Sequence, residues 1–150
     1  MSGSEVFSRR HGEHGGTGIW NLRELNELAD RVLDIAFEVH REVGPGISES
    51  VYEEVMEYEI NDDGLYVERQ KPIPFDYKGL SFPKAFYADL VVENSLVIEL
   101  KVASAISTGH VKQTLTYLRL GRYRLGLILN FGAPYMKDGV KRVINGYDRE

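Results

Sequence analysis

Three residues in the second half of the chain could together handle a hard metal ion or a phosphate: Asp89, Glu99 and Lys101. Two carboxylates can hold a divalent cation through oxygen, and an ammonium beside them can stabilise negative charge that develops during a reaction. Nine residues separate Asp89 from Glu99, so the chain between must bring them together. Two runs rich in Val, Ile and Leu flank Glu93-Asn94-Ser95, the pattern of strand, turn, strand. A three-residue loop sets Val92 opposite Leu96, Leu90 opposite Ile98 and Ala88 opposite Leu100, an apolar face. The other face then pairs Val91 with Val97, Asp89 with Glu99 and Tyr87 with Lys101. A two-residue loop would put the two acids on opposite faces, so the three-residue loop is expected, with Asn94 left-handed.

Like charges directly opposite on a sheet repel. A divalent cation such as Mg²⁺ removes the repulsion, and Lys101 could hold a water or a developing phosphate charge. The same residues also admit a plainer reading, in which Glu99 and Lys101 form an i,i+2 ion pair on a solvated strand and Asp89 lies at an exposed edge.

The elements that position this hairpin follow from pattern. Residues 1–18 are rich in Gly, Ser, His and charge and read as a flexible tail, with His11 and His14 solvated in it. Residues 19–150 read as one domain. Apolar residues from Leu22 to Val43 recur at helical spacing over 21–43, with His40 beside the stripe as a satisfied, partly buried histidine. Gly44-Pro45-Gly46 stops that helix. A second helix spans 48–61, with Ser48 as its cap and Ile47 stapled on Tyr52. Strands are expected at 65–70 and 73–77, with Pro72 and Pro74 marking an edge or a bend. A third helix runs from a Ser107 cap to Gly121. A buried central strand lies within 122–131, and a short surface element at 134–145 brings Lys137, Lys141 and Arg142 near phosphates. Helix, strands, hairpin, helix, strand is an α/β arrangement around a mixed sheet.

Composition narrows the chemistry. The absence of cysteine excludes disulfides and thiolate metal sites and fits a cytoplasmic location. No apolar run approaches the ~20 residues that span a bilayer. The net charge of −5 conceals an asymmetry: residues 1–64 hold 15 acids and 5 bases, residues 65–150 hold 8 acids and 13 bases. The half with Asp89, Glu99 and Lys101 is the basic one, which suits a phosphate-bearing partner, although solvated lysines account for the same numbers.

Asp89, nine residues, Glu99-Leu100-Lys101 resembles the Asp…Glu-x-Lys signature of the PD-(D/E)xK nuclease superfamily, with Ala88 where the superfamily's name has proline. Gly46-Ile-Ser-Glu49-Ser-Val-Tyr52 resembles the Gly-x-x-Glu-x-x-Tyr motif that names one bacterial family within it. The resemblance runs from about Leu25 to Asn145. It implies a restriction-endonuclease-like core, a mixed central sheet flanked by helices. It also implies a Mg²⁺- (or Mn²⁺-) dependent nuclease acting on nucleic acid, with DNA the expected substrate. Asp89, Glu99 and the backbone carbonyl of Leu100 would hold the metal, with Glu49 joining directly or through water. Near the start of its helix Glu49 is also stabilised by the helix dipole, by about 0.3–1 kcal/mol, with no role at a site. Gln113-x-x-x-Tyr117 resembles a helix motif that lines the site in exonuclease-like branches, adding Gln113 as a site residue, with His110 and Tyr117 beside it. A chain this small could pair as a homodimer to cut both strands. The alternative is a catalytically inactive module that keeps the nuclease fold and binds nucleic acid or protein. A two-carboxylate glycosidase fits less well, because it needs one carboxyl held neutral and Lys101 beside Glu99 favours ionisation.

Overall fold

The computed structural model describes residues 20–146; residues 1–19 and 147–150, including the expected tail with His11 and His14, lie outside the described residues. Helix α1 spans Leu22–Val43 and begins with a reciprocal cap, the Asn21 side chain accepting from the Glu24 backbone and the Glu24 carboxylate accepting from Asn21 N–H. It ends at Gly44, whose φ of +79° suits glycine. Helix α2 spans Glu49–Asp62. Ser48 is its N-cap by position, but its hydroxyl bonds no backbone amide as the sequence suggested; it lies instead beside the Ser50 hydroxyl. An ion pair between Arg31 and Asp63 ties α1 to the end of α2.

Five strands follow: β1 (Val67–Tyr77), β2 (Leu80–Val92), β3 (Leu96–Lys101), β4 (Leu125–Asn130) and β5 (Val140–Ile144). Helix α3 (Thr108–Gly121) connects β3 to β4. The spatial order is the chain order, β1-β2-β3-β4-β5, and β3/β4 is the one parallel pair, so the sheet is mixed. The two strands expected at 65–70 and 73–77 are one, because β1 is an outer strand where prolines need no ladder donor; the irregularity falls between Ile73 and Phe75. Lys78 and Gly79, both left-handed, make the two-residue turn into β2. The segment 134–145, expected as a surface element, is instead a 3₁₀ turn, Met136–Gly139, and the edge strand β5. Gly139 is required there, since a Cβ would stand 2.3 Å from the Asn130 carbonyl oxygen.

The sheet has a core on each face. Leu28, Val32, Tyr52, Met56, Leu90, Ile98 and Leu127 pack between the sheet and α1 and α2, and Phe131, just past β4, joins them. On the other face Ile73, Ala88, Val91, Val97, Leu118 and Ile128 pack under α3. Strand β4 is buried along its whole length, as a central strand should be. The expected buried histidine is borne out: His40 is 8% exposed and its Nε2–H donates to the Ala133 carbonyl at 2.8 Å.

Beside β3 the two edge-side strands change faces. Val67 and Leu90 belong to the α1/α2 core, whereas Ile73 and Ala88 belong to the α3 core. Regular alternation would keep Ala88 with Leu90 and Val92. The inversion falls at Asp89 in β2 and at Gln70, across from it in β1, whose φ is +53°.

Candidate active site

The expected loop register is correct: Val92 pairs with Leu96, Val91 with Val97 and Leu90 with Ile98. Glu93 and Asn94 are both left-handed, so the loop has one more such residue than expected. Glu93 is buried; it exchanges bonds with Tyr66, its N–H donating to the Tyr66 carbonyl and its Oε2 accepting from Tyr66 N–H, each at 2.7 Å.

The ladder then stops, so the expected direct pairings of Ala88 with Leu100, Asp89 with Glu99 and Tyr87 with Lys101 do not form. In their place each acid bonds the opposite strand's backbone. Asp89 N–H donates to Glu99 Oε2 at 3.0 Å, and Leu100 N–H donates to Asp89 Oδ2 at 2.8 Å. The physical reason is the repulsion anticipated from the sequence: parting the strands lets each carboxylate accept an N–H, a charged hydrogen bond worth about 1.5–3 kcal/mol. Among the described residues Glu99 Oε1 keeps no hydrogen-bond partner. The Lys101 carbonyl is taken by Phe131 N–H at 2.9 Å on the β4 side. One residue earlier, Leu100 therefore turns its N–H and C=O towards β2 and the acids.

Burial makes both carboxylates hard to ionise. Glu99 is 4% exposed, and burial followed by the charge of Asp89 pushes its pKa up to about 8. Lys101 opposes this and is outweighed, which corrects the expectation that its ammonium would keep Glu99 readily ionised. Asp89 is pushed up to about 6, chiefly by burial, while the Leu100 N–H draws it down. Two acids whose ionisation is disfavoured by burial and by each other, with oxygens facing one gap, are the donors a hard cation stabilises.

The third carboxylate of this cluster is Glu53. It is 6% exposed, its Oε1 accepts from Arg69 Nε at 2.6 Å, and its Oε2 accepts from Gln70 Nε2 at 2.9 Å. Its charge raises the pKa of both Asp89 and Glu99. Glu49, one turn earlier, is exposed at the start of α2, and among the described residues its side chain makes no hydrogen bond or ion pair. Tyr52 is a packing residue: its ring stacks on Phe131 at 4.5 Å and its hydroxyl donates to the Gly44 carbonyl.

Lys101 is half-buried at the end of β3 and forms no ion pair among the described residues, so the plainer reading of a Glu99–Lys101 pair is not what the fold adopts. Its backbone is held firmly, because Asn130 clamps the next turn with bonds to Ala103 N–H and C=O at 2.9 and 3.0 Å. On α3, Tyr117 faces the acids: burial raises its pKa first, then the charges of Glu99 and Asp89. Gln113 lies one turn before Tyr117 on the same side and is exposed. His110 is spent locally, its Nδ1 accepting from Ser107 N–H in the capping box. Of the cations expected near phosphates, Lys137 and Lys141 are exposed, but Arg142 is committed to Asn26 and Asp30 of α1, each at 2.8 Å.

Among the described residues, no three His, Asp or Glu side chains form a ready-made metal cage. Two carboxylates and a carbonyl would suit an ion that keeps several waters. Among the same residues no helix is long and apolar enough to cross a membrane. Sequence reasoning gave no site role to Glu53, Arg69 or Gln70; the one signal for Glu53 was its place four residues after Glu49, on the same side of the helix.

The model of the PD-(D/E)XK nuclease superfamily matches residues 26–143. That is most of the chain, and the chain belongs to this superfamily. No curated protein and no solved structure matches it.

Proposed function

We propose that the chain is a Mg²⁺-dependent nuclease that hydrolyses phosphodiester bonds in DNA, with Asp89, Glu99 and Lys101 as its chemical centre. The observation that carries this reading is the crossed pair of carboxylate-to-amide bonds, which leaves Glu99 Oε1 without a partner beside Asp89. Asp89, Glu99 and the Leu100 carbonyl would hold the cation. When bound, Mg²⁺ would lower the pKa of a water and polarise the scissile phosphate.

The chain's own groups do the rest. Lys101, unpaired and at the strand end, orients the attacking water and stabilises charge on the phosphate oxygens as the bond from water oxygen to phosphorus forms and the ester bond breaks. Glu53 takes the place given to Glu49 as the third acid, and the exposed Glu49 is left to reach the cation's waters. Gln113 is positioned along α3 to touch the substrate strand. Just beyond Lys101 a cleft of about 460 Å³, with Ser104, Ser107, Thr108, Asp138 and Lys141 in its wall, offers hydroxyls and a cation, beside one acid, to a flanking phosphate. Gly46, Glu49 and Tyr52 support placing the chain in the Gly-x-x-Glu-x-x-Tyr branch.

The test is cleavage of labelled single- and double-stranded DNA and RNA with Mg²⁺ or Mn²⁺, by the wild type and by a Glu99→Ala, Lys101→Ala double variant. Cutting by the wild type alone supports the reading and identifies the substrate. If neither cuts anything, the chain is a binding module that retains the fold.

A further inference from the structure

Gln70 occupies an unusual place. It lies inside a strand yet has a φ of +53°, a left-handed conformation that costs a residue with a side chain about 1–3 kcal/mol. It is neither glycine nor asparagine, and no turn occurs there. The surrounding structure must therefore hold it, and what it gains is visible. The left-handed step inverts β1, so Arg69 faces Glu53 of α2 while Lys71 faces the other side and pairs with Glu68 at 2.6 Å. It also aims the Gln70 amide between two acids: Nε2 donates to Glu53 Oε2 at 2.9 Å and to Asp89 Oδ1 at 3.2 Å.

Each of those acids is already fixed through its other oxygen, Glu53 by Arg69 and Asp89 by Leu100 N–H. Gln70 fixes the second oxygen of both. The residue type matters. A lysine or arginine here would cancel the negative charge that a cation needs, and a glutamate would add a further repelling acid. A neutral amide donates twice and changes the charge of the cluster by nothing.

We infer that Gln70 is a positioning residue, which orients the Asp89 carboxylate for cation binding and couples it to the Arg69–Glu53 pair. The inference rests on the proposed function in one respect, that Asp89 holds the cation. It acts through another residue's geometry, as partners of metal ligands do, where loss typically costs 10–100-fold in affinity.

Glycine provides an incisive test, because it removes the amide and also relieves the backbone. The measurements are Mn²⁺ affinity by calorimetry and the melting temperature without metal, for wild type, Gln70→Gly, Gln70→Asn and Asp89→Ala. Asparagine tolerates the left-handed backbone but is one methylene too short to span both acids. The expected result is Mn²⁺ affinity about tenfold or more weaker in both Gln70 variants, with a cooperative metal-free melt that shows each variant still folded. Wild-type affinity in both variants would overturn the inference and leave the proposed function standing. Equal binding by wild type and Asp89→Ala, or binding by neither, would overturn both.

Discussion

Glu99 and Asp89 hold each other across a gap where their strands have parted, Asp89 N–H on Glu99 Oε2 at 3.0 Å. The bond fixes the acids while burial resists their charge, and a dependence on pH follows. A carboxyl whose pKa is higher folded than unfolded retains more protons when folded, so stability falls as pH rises between the two values. Glu99 rises from an ordinary 4.5 to about 8, and Asp89 from 3.8 to about 6. The melting temperature of metal-free protein should therefore fall between pH 5 and pH 8, and Glu99→Gln should flatten that slope. The rise produced by Mg²⁺ should be larger at pH 8 than at pH 5. A slope unchanged by Glu99→Gln would contradict the assignment.

Lys101 makes no ion pair among the described residues, so its removal should cost the fold little, within about 0.5–1 kcal/mol. Lys101→Ala should nonetheless lower kcat for DNA cleavage by about 10²–10³, the loss typical of a single group that stabilises transition-state charge. Urea unfolding and single-turnover cleavage of the same preparation check both halves; full activity would remove Lys101 from the mechanism.

Arg69 is the cation that makes a buried Glu53 tolerable. Breaking a buried pair from one side costs about 3–5 kcal/mol, and the 30% exposure of the Arg69 side chain brings the expectation down to about 2–3 kcal/mol for Arg69→Ala. Glu53→Gln in the same chain should recover part of that loss, since no buried charge is then stranded. A double-mutant cycle by chemical denaturation reads the coupling directly, and strict additivity would argue against it.

Tyr52 separates packing from chemistry. Tyr52→Phe loses the hydroxyl bond to Gly44 and should cost about 1 kcal/mol. Tyr52→Ala empties the place against Phe131 and should cost about 3–5 kcal/mol. Cleavage by the Phe variant should match wild type at a temperature where both are folded.

Much of this was legible in the chain's pattern, and the failures share a cause. The hairpin register could be read because Val92, Leu96, Leu90 and Ile98 must share a buried face, and a slip of one residue exposes them all. Its continuation to Ala88 and Leu100 could not, because repulsion between Asp89 and Glu99 is relieved by a departure from alternation that alternation cannot foretell. A left-handed Gln70 leaves no mark in the sequence, since glutamine carries no preference for that conformation. Glu49 and Glu53 lie one helical turn apart, and what separates them is the presence of Arg69 and Gln70 across the gap, a tertiary fact. Strand β5 was missed because Lys141 and Arg142 make a half-exposed edge read only as a short surface element.

The inversion at Gln70 and Asp89 also bears on when the site comes into being. On one side of that step Val67, Leu90 and Val92 reach the core under α1 and α2 while Val91 reaches the core under α3; beyond it Ile73 and Ala88 keep to the core under α3. The step therefore answers to both cores at once, since a residue moved by one position on either side of it would change faces. A cation held there as proposed would fasten the two faces of the sheet to each other, and would show its effect in slower unfolding more than in faster folding.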